Sequence, residues 1–175
     1  MIRRLLIITA ALAVVGLAVL ATTRESPAPA LPEALRADHI LVEKSAHRLT
    51  LLAGDRVLKR YAVALGHGGL APKTREGDDR TPEGSYRIDG RNPLSHYHLA
   101  LHISYPEPRD VQAAAFRGEP PGGDIMIHGL PNGFGGIGSR HRVVDWTAGC
   151  IAVTDAEIEE IWHAVPDGTP VEIRP

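Results

Sequence analysis

The most informative stretch of this chain is residues 125–154, IMIHGLPNGFGGIGSRHRVVDWTAGCIAVT. They contain the single cysteine of the sequence, Cys150, and a histidine, His128, at the end of a short apolar run. A cysteine thiolate is a strong nucleophile, and an imidazole nearby can take up its proton. The stretch therefore predicts a cysteine nucleophile with a histidine base. The competing interpretation is an inert core cysteine and a histidine that never meet.

The composition indicates a single folded domain and argues against nucleic acid as a partner. The chain has 175 residues, 43% of them hydrophobic, and a net charge of −2, which predicts one domain with its own core. Its 18 glycines and 14 prolines indicate many turns and short strands. The charge is near neutral and no basic cluster is present, so we expect no nucleic-acid binding.

The N-terminus predicts export. Arg3 and Arg4 precede an uncharged apolar run from Leu5 to Ala21, as in a secretory signal. Its length is borderline, so an uncleaved anchor in the inner membrane remains the alternative. We expect a signal peptide or anchor at 1–21, an Ala/Pro-rich linker at 22–37 and a folded domain at 38–175, located in the periplasm or cell envelope. One cysteine cannot form an internal disulfide there, which leaves a reactive thiol, an intermolecular bridge or an inert side chain.

Hydrophobic alternation predicts a mainly β domain with one or two short helices. Three short segments from 39 onwards read as a β-meander, and 66–79 reads as a surface loop. Thr154 to Glu157 forms a capping-box pattern that opens an amphipathic helix. The remaining expected elements are strands at 85–89, 96–104, 124–128 and 169–173 and a helix at 110–117.

Three groups of residues resemble the L,D-transpeptidase catalytic domain (YkuD type). His128-Gly129, a glycine-rich connection and Thr147-Ala148-Gly149-Cys150 are similar to its HG…[ST]xGC signature, and Arg80 to Tyr86, RTPEGSY, is similar to its TPxG turn. The early strands are similar to its usual opening. The resemblance implies a single-domain, β-sandwich-like fold in which 38–175 is the catalytic domain.

The resemblance also implies a reaction. Cys150 would attack a peptidoglycan stem peptide and form a thioester, with His128 as proton donor and acceptor and Gly129, Thr147 and Gly149 as supporting residues. The Gly129 carbonyl would orient His128, and amides near Gly149 and Cys150 would hold the oxyanion. The acceptor would be an amine of another stem or of a wall-anchored protein. No metal or organic cofactor is implied, and the membrane is a partner only through an uncleaved N-terminal segment.

The sequence departs from the family pattern beside the nucleophile. Many members carry histidine directly before Gly-Cys, whereas this chain has Ala148. The catalytic base is retained as His128, so the departure bears on substrate preference rather than on activity. TAGC in place of SHGC resembles a subgroup of the family.

Other polar residues leave alternatives open. His96, His98 and His102 would share one face of a strand, where they either line the substrate groove or, with His128, hold zinc in a peptidase. Arg140 and His141 are candidates for binding a substrate carboxylate. The charged loop 73–80 is either a further carboxylate contact or solvated, whereas Trp146 and Trp162 are expected to pack in the structure.

Two further functions use the same residues differently. If water attacks the thioester, the protein is a peptidoglycan amidase or endopeptidase. If Cys150 is inert, it is a non-catalytic wall-binding module.

Overall fold

A computed structural model describes residues 31–32 and 34–175 of the chain. The predicted signal peptide or anchor and most of the linker lie outside the described residues. Within the described part, no helix is long and apolar enough to cross a membrane.

The domain opens with the predicted β-meander. Its strands are β1 (His39–Glu43), β2 (Arg48–Ala53) and β3 (Arg56–Ala62), each antiparallel to the next. Alternate residues of β1, Ile40 and Val42, are fully buried and lie opposite Leu51 and Leu49 of β2. This burial of every second residue is the physical origin of the alternation seen in the sequence.

Eight strands form one continuous half-barrel sheet. The other strands are β4 (Gly84–Ser95), β5 (His98–Ile103), β6 (Met126–His128), β7 (Ile151–Ala152) and β8 (Pro170–Arg174). The order across the sheet is β3-β2-β1-β8-β4-β5-β6-β7, with β8 parallel to β1 and antiparallel to β4. The C-terminal strand therefore joins the opening meander to the strands of the predicted site, and the mainly β prediction is confirmed.

Short helices pack beside the sheet. They are α1 (Pro108–Arg117) and α2 (Asp155–Ala164), together with a 3₁₀ segment (Gly135–Val143) that is interrupted at Gly138. The predicted capping box of α2 is present. The Glu157 backbone N–H donates to the Thr154 hydroxyl at 3.4 Å, and the Thr154 backbone N–H donates to the Glu157 carboxylate. Ile158 and Ile161 of this helix are fully buried. The sequence did not predict the 3₁₀ segment, because its glycines signal a loop.

Several predicted element bounds were wrong. The strand expected at 85–89 continues to Ser95, and the strand expected at 96–104 begins only at His98, because residues 96–97 form the turn between β4 and β5. The strand expected from Asp124 begins at Met126, since Asp124 has a positive φ of 54° that interrupts extended backbone. The strand expected at 169–173 runs from Pro170 to Arg174, and the helix expected from Asp110 begins at Pro108, because proline fits the first turn.

Candidate active site

His128 is the last residue of β6 and is buried, with 4% of its surface exposed. Its Nδ1 lies 2.7 Å from the carbonyl oxygen of Gly129. A carbonyl only accepts hydrogen bonds, so this contact assigns the proton to Nδ1 and leaves Nε2 as the basic nitrogen. Its backbone carbonyl accepts from Val153 N–H at 3.0 Å, which ties β6 to the chain after Cys150. The predicted orienting role of the Gly129 carbonyl thus has the required geometry.

Cys150 lies in the turn directly before β7, which pairs in parallel with β6. Ile151 lies opposite Ile127 in this register, so Cys150, one residue before β7, is held next to β6, which ends in His128. The Sγ atom donates to the Asp124 backbone carbonyl at 3.4 Å. Both side chains border one cavity of about 350 Å³, whose other lining residues are His67, Ser95, Tyr97, Asp124, Met126, Trp146, Thr147 and Ala148.

Burial keeps both reactive groups neutral in the resting site. Desolvation lowers the pKa of His128 despite its hydrogen bond to Gly129. Desolvation also raises the pKa of the Cys150 thiol, and the Asp124 carboxylate adds to this effect. The Met126 N–H and the Lys73 cation oppose the rise without overcoming it. The site therefore holds a thiol and an imidazole before substrate binds, rather than a preformed ion pair.

The turn that presents Cys150 is held by Thr147. Its hydroxyl donates to the Cys150 carbonyl at 2.7 Å and accepts from the Gly149 N–H at 3.2 Å. Gly149 has φ of +128°, and a Cβ there would lie 2.7 Å from the Arg80 carbonyl oxygen. A side chain at 149 would thus be strained and would collide with backbone. Thr147 and Gly149, two of the three supporting residues predicted from the sequence, therefore shape the turn that presents Cys150.

The TPEG turn packs directly beneath the nucleophile turn. The Gly66 N–H donates to the buried Thr81 hydroxyl at 3.1 Å, and His67 N–H donates to the Thr147 carbonyl at 2.9 Å. A Cβ at Gly66 would lie 3.0 Å from the Gly149 Cα, so the two backbones are in close contact. Residues 66–67 therefore connect Thr81 of the TPEG segment (81–84) to the turn that presents Cys150.

A buried lysine that sequence reasoning missed anchors the TPEG turn. The Lys44 side chain is 1% exposed, and its Nζ donates to the Ala71 carbonyl, the Thr81 carbonyl and the Glu83 carboxylate at 3.2, 3.0 and 2.8 Å. A buried cation needs such partners to offset its lost hydration. The only signal in the sequence was a charged residue continuing the alternation of β1, which does not by itself distinguish burial from exposure.

Aromatic rings form one wall of the cavity. The Tyr97 ring lies 4.5 Å and the Trp146 ring 5.8 Å, centroid to centroid, from the His128 imidazole. Trp146 does pack, as expected, but it packs against His128 and lines the cavity. Tyr97 was missed because its neighbours suggested a strand, whereas it lies in the β4–β5 turn. Trp162 packs partly buried against the core, with the Arg91 guanidinium above its ring.

The structure separates the three histidines that the sequence grouped. His96 lies in the turn before β5, whereas His98 Nε2 lies 2.8 Å from the Glu159 carboxylate of α2. His102 Nδ1 lies 2.6 Å from the Asp89 carboxylate, and its Nε2 lies 4.0 Å from Asp124 at the edge of the cavity. The expectation that all three share one strand face was wrong, because a turn interrupts the strand. Among the described residues, no group of three or more His, Cys, Asp or Glu side chains could hold a metal ion.

Arg140 and His141 lie in the 3₁₀ segment (Gly135–Val143), and the His141 ring packs edge-on against Trp146 at a centroid distance of 6.3 Å. Arg140 is exposed, whereas His141 is buried and its Nδ1 accepts from the Trp146 indole N–H at 3.3 Å. Desolvation, aided by the neighbouring Arg142 cation, lowers the pKa of His141 to about 4. A neutral His141 offers no charge to a carboxylate at neutral pH.

The charged loop 73–80 is organised by its own residues. Lys73 and Asp78 form a 2.8 Å ion pair in which both side chains are almost fully buried. Burial opposes ionisation of Asp78, but hydrogen bonds from Lys73 and from three backbone N–H groups prevail and lower its pKa to about 2. These contacts shape the loop and leave Arg75 exposed.

Comparison with known proteins identifies the family of the domain. Residues 37–173 match the family described as the L,D-transpeptidase catalytic domain, YkuD. YafK of Escherichia coli K12, a provisionally named L,D-transpeptidase, is 33% identical over 114 residues, which is 63% of this chain and 38% of YafK. The chain thus spans well under half the length of this curated relative.

Solved structures show the same fold. The helical cell shape determining protein Pgp2 of Campylobacter jejuni is 25% identical with a TM-score of 0.61, over 81% of this chain and 48% of that one. An L,D-transpeptidase from Xylanimonas cellulosilytica is 17% identical with a TM-score of 0.55, over 84% of this chain and 64% of that one.

Proposed function

The chain belongs to the L,D-transpeptidase catalytic-domain family, and from this premise we propose that it is an exported cysteine L,D-transpeptidase of peptidoglycan. The observation that carries the proposal is the shared cavity, which is lined both by Cys150, in the turn before β7, and by His128, whose Nδ1 lies 2.7 Å from the Gly129 carbonyl oxygen at the end of the adjacent strand β6. The proposed substrate is a stem peptide, as the family description implies.

The first half of the reaction forms a thioester. His128 Nε2 takes the thiol proton as Cys150 Sγ bonds to the carbonyl carbon of the third stem residue, a diamino acid. The bond to the terminal D-alanine then breaks, and the His128 imidazolium gives its proton to the leaving amine. Because both groups rest in their neutral forms, proton transfer accompanies attack.

The negatively charged oxygen that develops on the attacked carbonyl would be held by backbone N–H groups in the turn that presents Cys150. The Gly149 N–H already donates to the Thr147 hydroxyl, so its capacity for a second acceptor is reduced. We therefore assign the main donor role to the Cys150 N–H, with Thr147 and Gly149 holding its direction. In the second half, an amine attacks the thioester, loses its proton to His128 and releases the thiol. The amine belongs to another stem peptide or to a wall-anchored protein.

Hydrolysis is the second candidate, and one observation favours it. Ala148 is exposed and lines the cavity at the position where many family members place a histidine. The smaller side chain leaves room for water beside the thioester. Water as acceptor would make the protein a peptidoglycan amidase or endopeptidase with the same two catalytic residues. The TAGC sequence would then mark a subgroup defined by its acceptor.

The location is proposed from the N-terminal sequence. The apolar run from Leu5 to Ala21 after two arginines supports export to the periplasm or cell envelope, with retention at the inner membrane if the signal is uncleaved. Peptidoglycan lies in that compartment, so the location and the proposed substrate agree.

Product analysis tests the proposal. Purified full-length protein is incubated with tetrapeptide-bearing muropeptides, and the products are separated by mass. A transpeptidase gives cross-linked dimers, whereas a hydrolase gives shortened monomers. Cys150→Ala should abolish either product, with thermal unfolding as the check that the variant folds. Full turnover by Cys150→Ala would overturn the thiol mechanism. A carbapenem adduct on Cys150, seen by intact mass, would count against a wall-binding module.

A further inference from the structure

Asp124 contributes a carboxylate to the cavity that Cys150 and His128 line. Its side chain is 93% exposed, and among the described residues its only ion-pair contact is with His102 Nε2 at 4.0 Å. That distance exceeds the length of a hydrogen bond, so the carboxylate has no close partner in the part of the chain that the structure describes. Of the described residues that line the cavity, no other carries a carboxylate.

The Asp124 carboxylate lies close to the thiol. The backbone carbonyl of the same residue accepts from Cys150 Sγ at 3.4 Å. Asp124 has a φ of 54°, a conformation in which aspartate and asparagine are enriched among residues other than glycine. Its charge reaches the thiol, because it raises the pKa of Cys150. One bound molecule can therefore contact the carboxylate and Sγ together.

The pairing of β6 with β7 places the thiol between Asp124 and His128. Cys150 lies one residue before β7, and the parallel register brings it next to Met126, the first residue of β6. Asp124 precedes Met126 by two residues, and His128 follows it by two. The carboxylate and the imidazole therefore flank the thiol along the direction of β6, and a group that contacts Asp124 lies on the other side of Cys150 from the base.

These two sides correspond to different parts of the proposed substrate. His128 exchanges a proton with the departing and the attacking amine, so both amines lie on its side of the thiol. The acyl group that bonds to Cys150 Sγ is the third stem residue, and its side chain is the part able to extend towards Asp124. In the proposed substrate this residue is a diamino acid, whose second amine is an ammonium at neutral pH.

The groups around Asp124 suit an ammonium. Such a group has three N–H donors and no acceptor. The Asp124 carboxylate supplies one acceptor with a full negative charge. Neutral His102 supplies a second, because its Nδ1 lies 2.6 Å from the Asp89 carboxylate and holds the proton there, which leaves Nε2 to accept. The two acceptors are 4.0 Å apart at the edge of the cavity, so one ammonium can donate to both.

We propose that Asp124 binds the side-chain ammonium of the third stem residue and thereby selects the acyl donor. The inference rests on the proposed function, since it assigns a substrate contact in that reaction. Binding also assists the chemistry, because an ammonium on Asp124 cancels the charge that opposes ionisation of Cys150. The resting thiol thus becomes easier to deprotonate when a donor with this ammonium is in place.

Matched variants of the full-length protein test the assignment. Asp124→Asn removes the charge and nearly keeps the shape, and asparagine also adopts positive φ, so the exposed position should tolerate it. Asp55→Asn removes the same charge from an exposed turn between β2 and β3, outside the cavity. Thermal unfolding checks that both variants fold.

Charged thiol reagents probe the carboxylate without requiring turnover. Cys150 is the single cysteine, so methanethiosulfonates with an aminoethyl, a sulfonatoethyl or a methyl group modify one site. The ratio of the cationic to the anionic rate should fall by about tenfold in Asp124→Asn and be unchanged in Asp55→Asn. The neutral methyl reagent should react at least as fast in Asp124→Asn as in the parent protein, because a charge that opposes ionisation is gone. An equal ratio in all three proteins would overturn the proposal.

Muropeptides test the ammonium itself. A tetrapeptide muropeptide with a free side-chain amine on its third residue is compared with the same muropeptide acetylated on that amine, and intact mass gives the rate of Cys150 acylation. The free form should acylate the parent protein and Asp55→Asn about tenfold faster, and Asp124→Asn should lose this preference. Equal rates in the parent protein would refute the assignment. No acylation by either muropeptide would instead contradict the proposed function, whereas the reagent ratios would still decide whether Asp124 attracts a cation to the thiol.

Discussion

The Thr147 hydroxyl donates to the backbone carbonyl of Cys150 at 2.7 Å, so the residue three positions before Cys150 closes the turn that presents its thiol. The same hydroxyl accepts from the Gly149 N–H. One small side chain thereby satisfies two backbone groups of this turn and sets the direction of the Cys150 N–H.

Replacing Thr147 with valine keeps the volume of the side chain but removes the hydroxyl that holds the turn before Cys150. The variant leaves the Gly149 N–H and the Cys150 carbonyl unpaired, which should lower the free energy of unfolding by about 1–3 kcal/mol. Acylation of Cys150 should slow by roughly tenfold to a hundredfold because the thiol and amide are misplaced. Urea unfolding and the rate of adduct formation by intact mass measure the two effects. Thr147→Ser should restore both, and equal acylation rates in all three proteins would refute the positioning role.

Replacing Gly149 with alanine should disrupt the domain as well as the site. The new Cβ would lie 2.7 Å from the Arg80 carbonyl at a φ of +128°, so strain and collision add. We expect unfolding free energy to fall by roughly 2–5 kcal/mol. Gly69→Ala is the matched control, since its φ is +87° but a Cβ placed there would meet no atom within 4 Å. It should cost about 1 kcal/mol, and a similar loss in both variants would show that the collision with Arg80 is unimportant.

Replacing Lys44 with methionine should release the TPEG turn. The substitution nearly keeps the length of the side chain but leaves the Glu83 carboxylate and two backbone carbonyls without their donor. Removing one partner of a buried ion pair typically costs about 3–5 kcal/mol. Arg60→Met, on an exposed position of β3, should change the unfolding free energy by less than about 0.5 kcal/mol. Chemical denaturation compares the two, and equal stabilities would contradict the anchoring role.

The neutral resting pair predicts a distinctive pH dependence for Cys150. Burial raises the pKa of the thiol and lowers the pKa of His128, so little thiolate exists at neutral pH. The rate of alkylation by iodoacetamide should keep rising with pH beyond 9, the ordinary value for the thiol. His128→Ala should not change the position of that rise by much. A rate that reaches its plateau below pH 7 would instead indicate a preformed thiolate–imidazolium pair.

The buried histidines predict that stability falls with acidification. His141 is neutral when folded, with its pKa lowered from 6.5 to about 4, so the unfolded chain binds more protons between these values. Its contribution is therefore fully present above pH 6.5 and is lost as pH falls towards 4, by up to about 3 kcal/mol. His128 acts in the same direction. Urea unfolding from pH 7 to 4.5 should show a shallower decline for His141→Gln than for the parent protein, and parallel declines would argue against the shift.

Local patterns were enough to predict much of the fold. The alternation of Ile40 and Val42 identified a half-buried strand, and Thr154 to Glu157 identified the start of α2, because both depend on residues close together in the chain. The bounds near His96 and Asp124 could not be predicted, since each depends on a turn or a positive φ that neighbouring strands stabilise.

The sequence by itself determined the chemistry available to this protein: one thiol, one histidine at a strand end, and the small residues that allow a tight turn between them. Only the tertiary structure decided their surroundings. The parallel pairing of β6 with β7 brings His128 and Cys150 to one cavity, and the long-range contacts of Lys44 and Thr81 support the turn beneath it. Those contacts join residues far apart in the chain, and burial, which shifts the pKa of both reactive groups, exists only once the chain has folded.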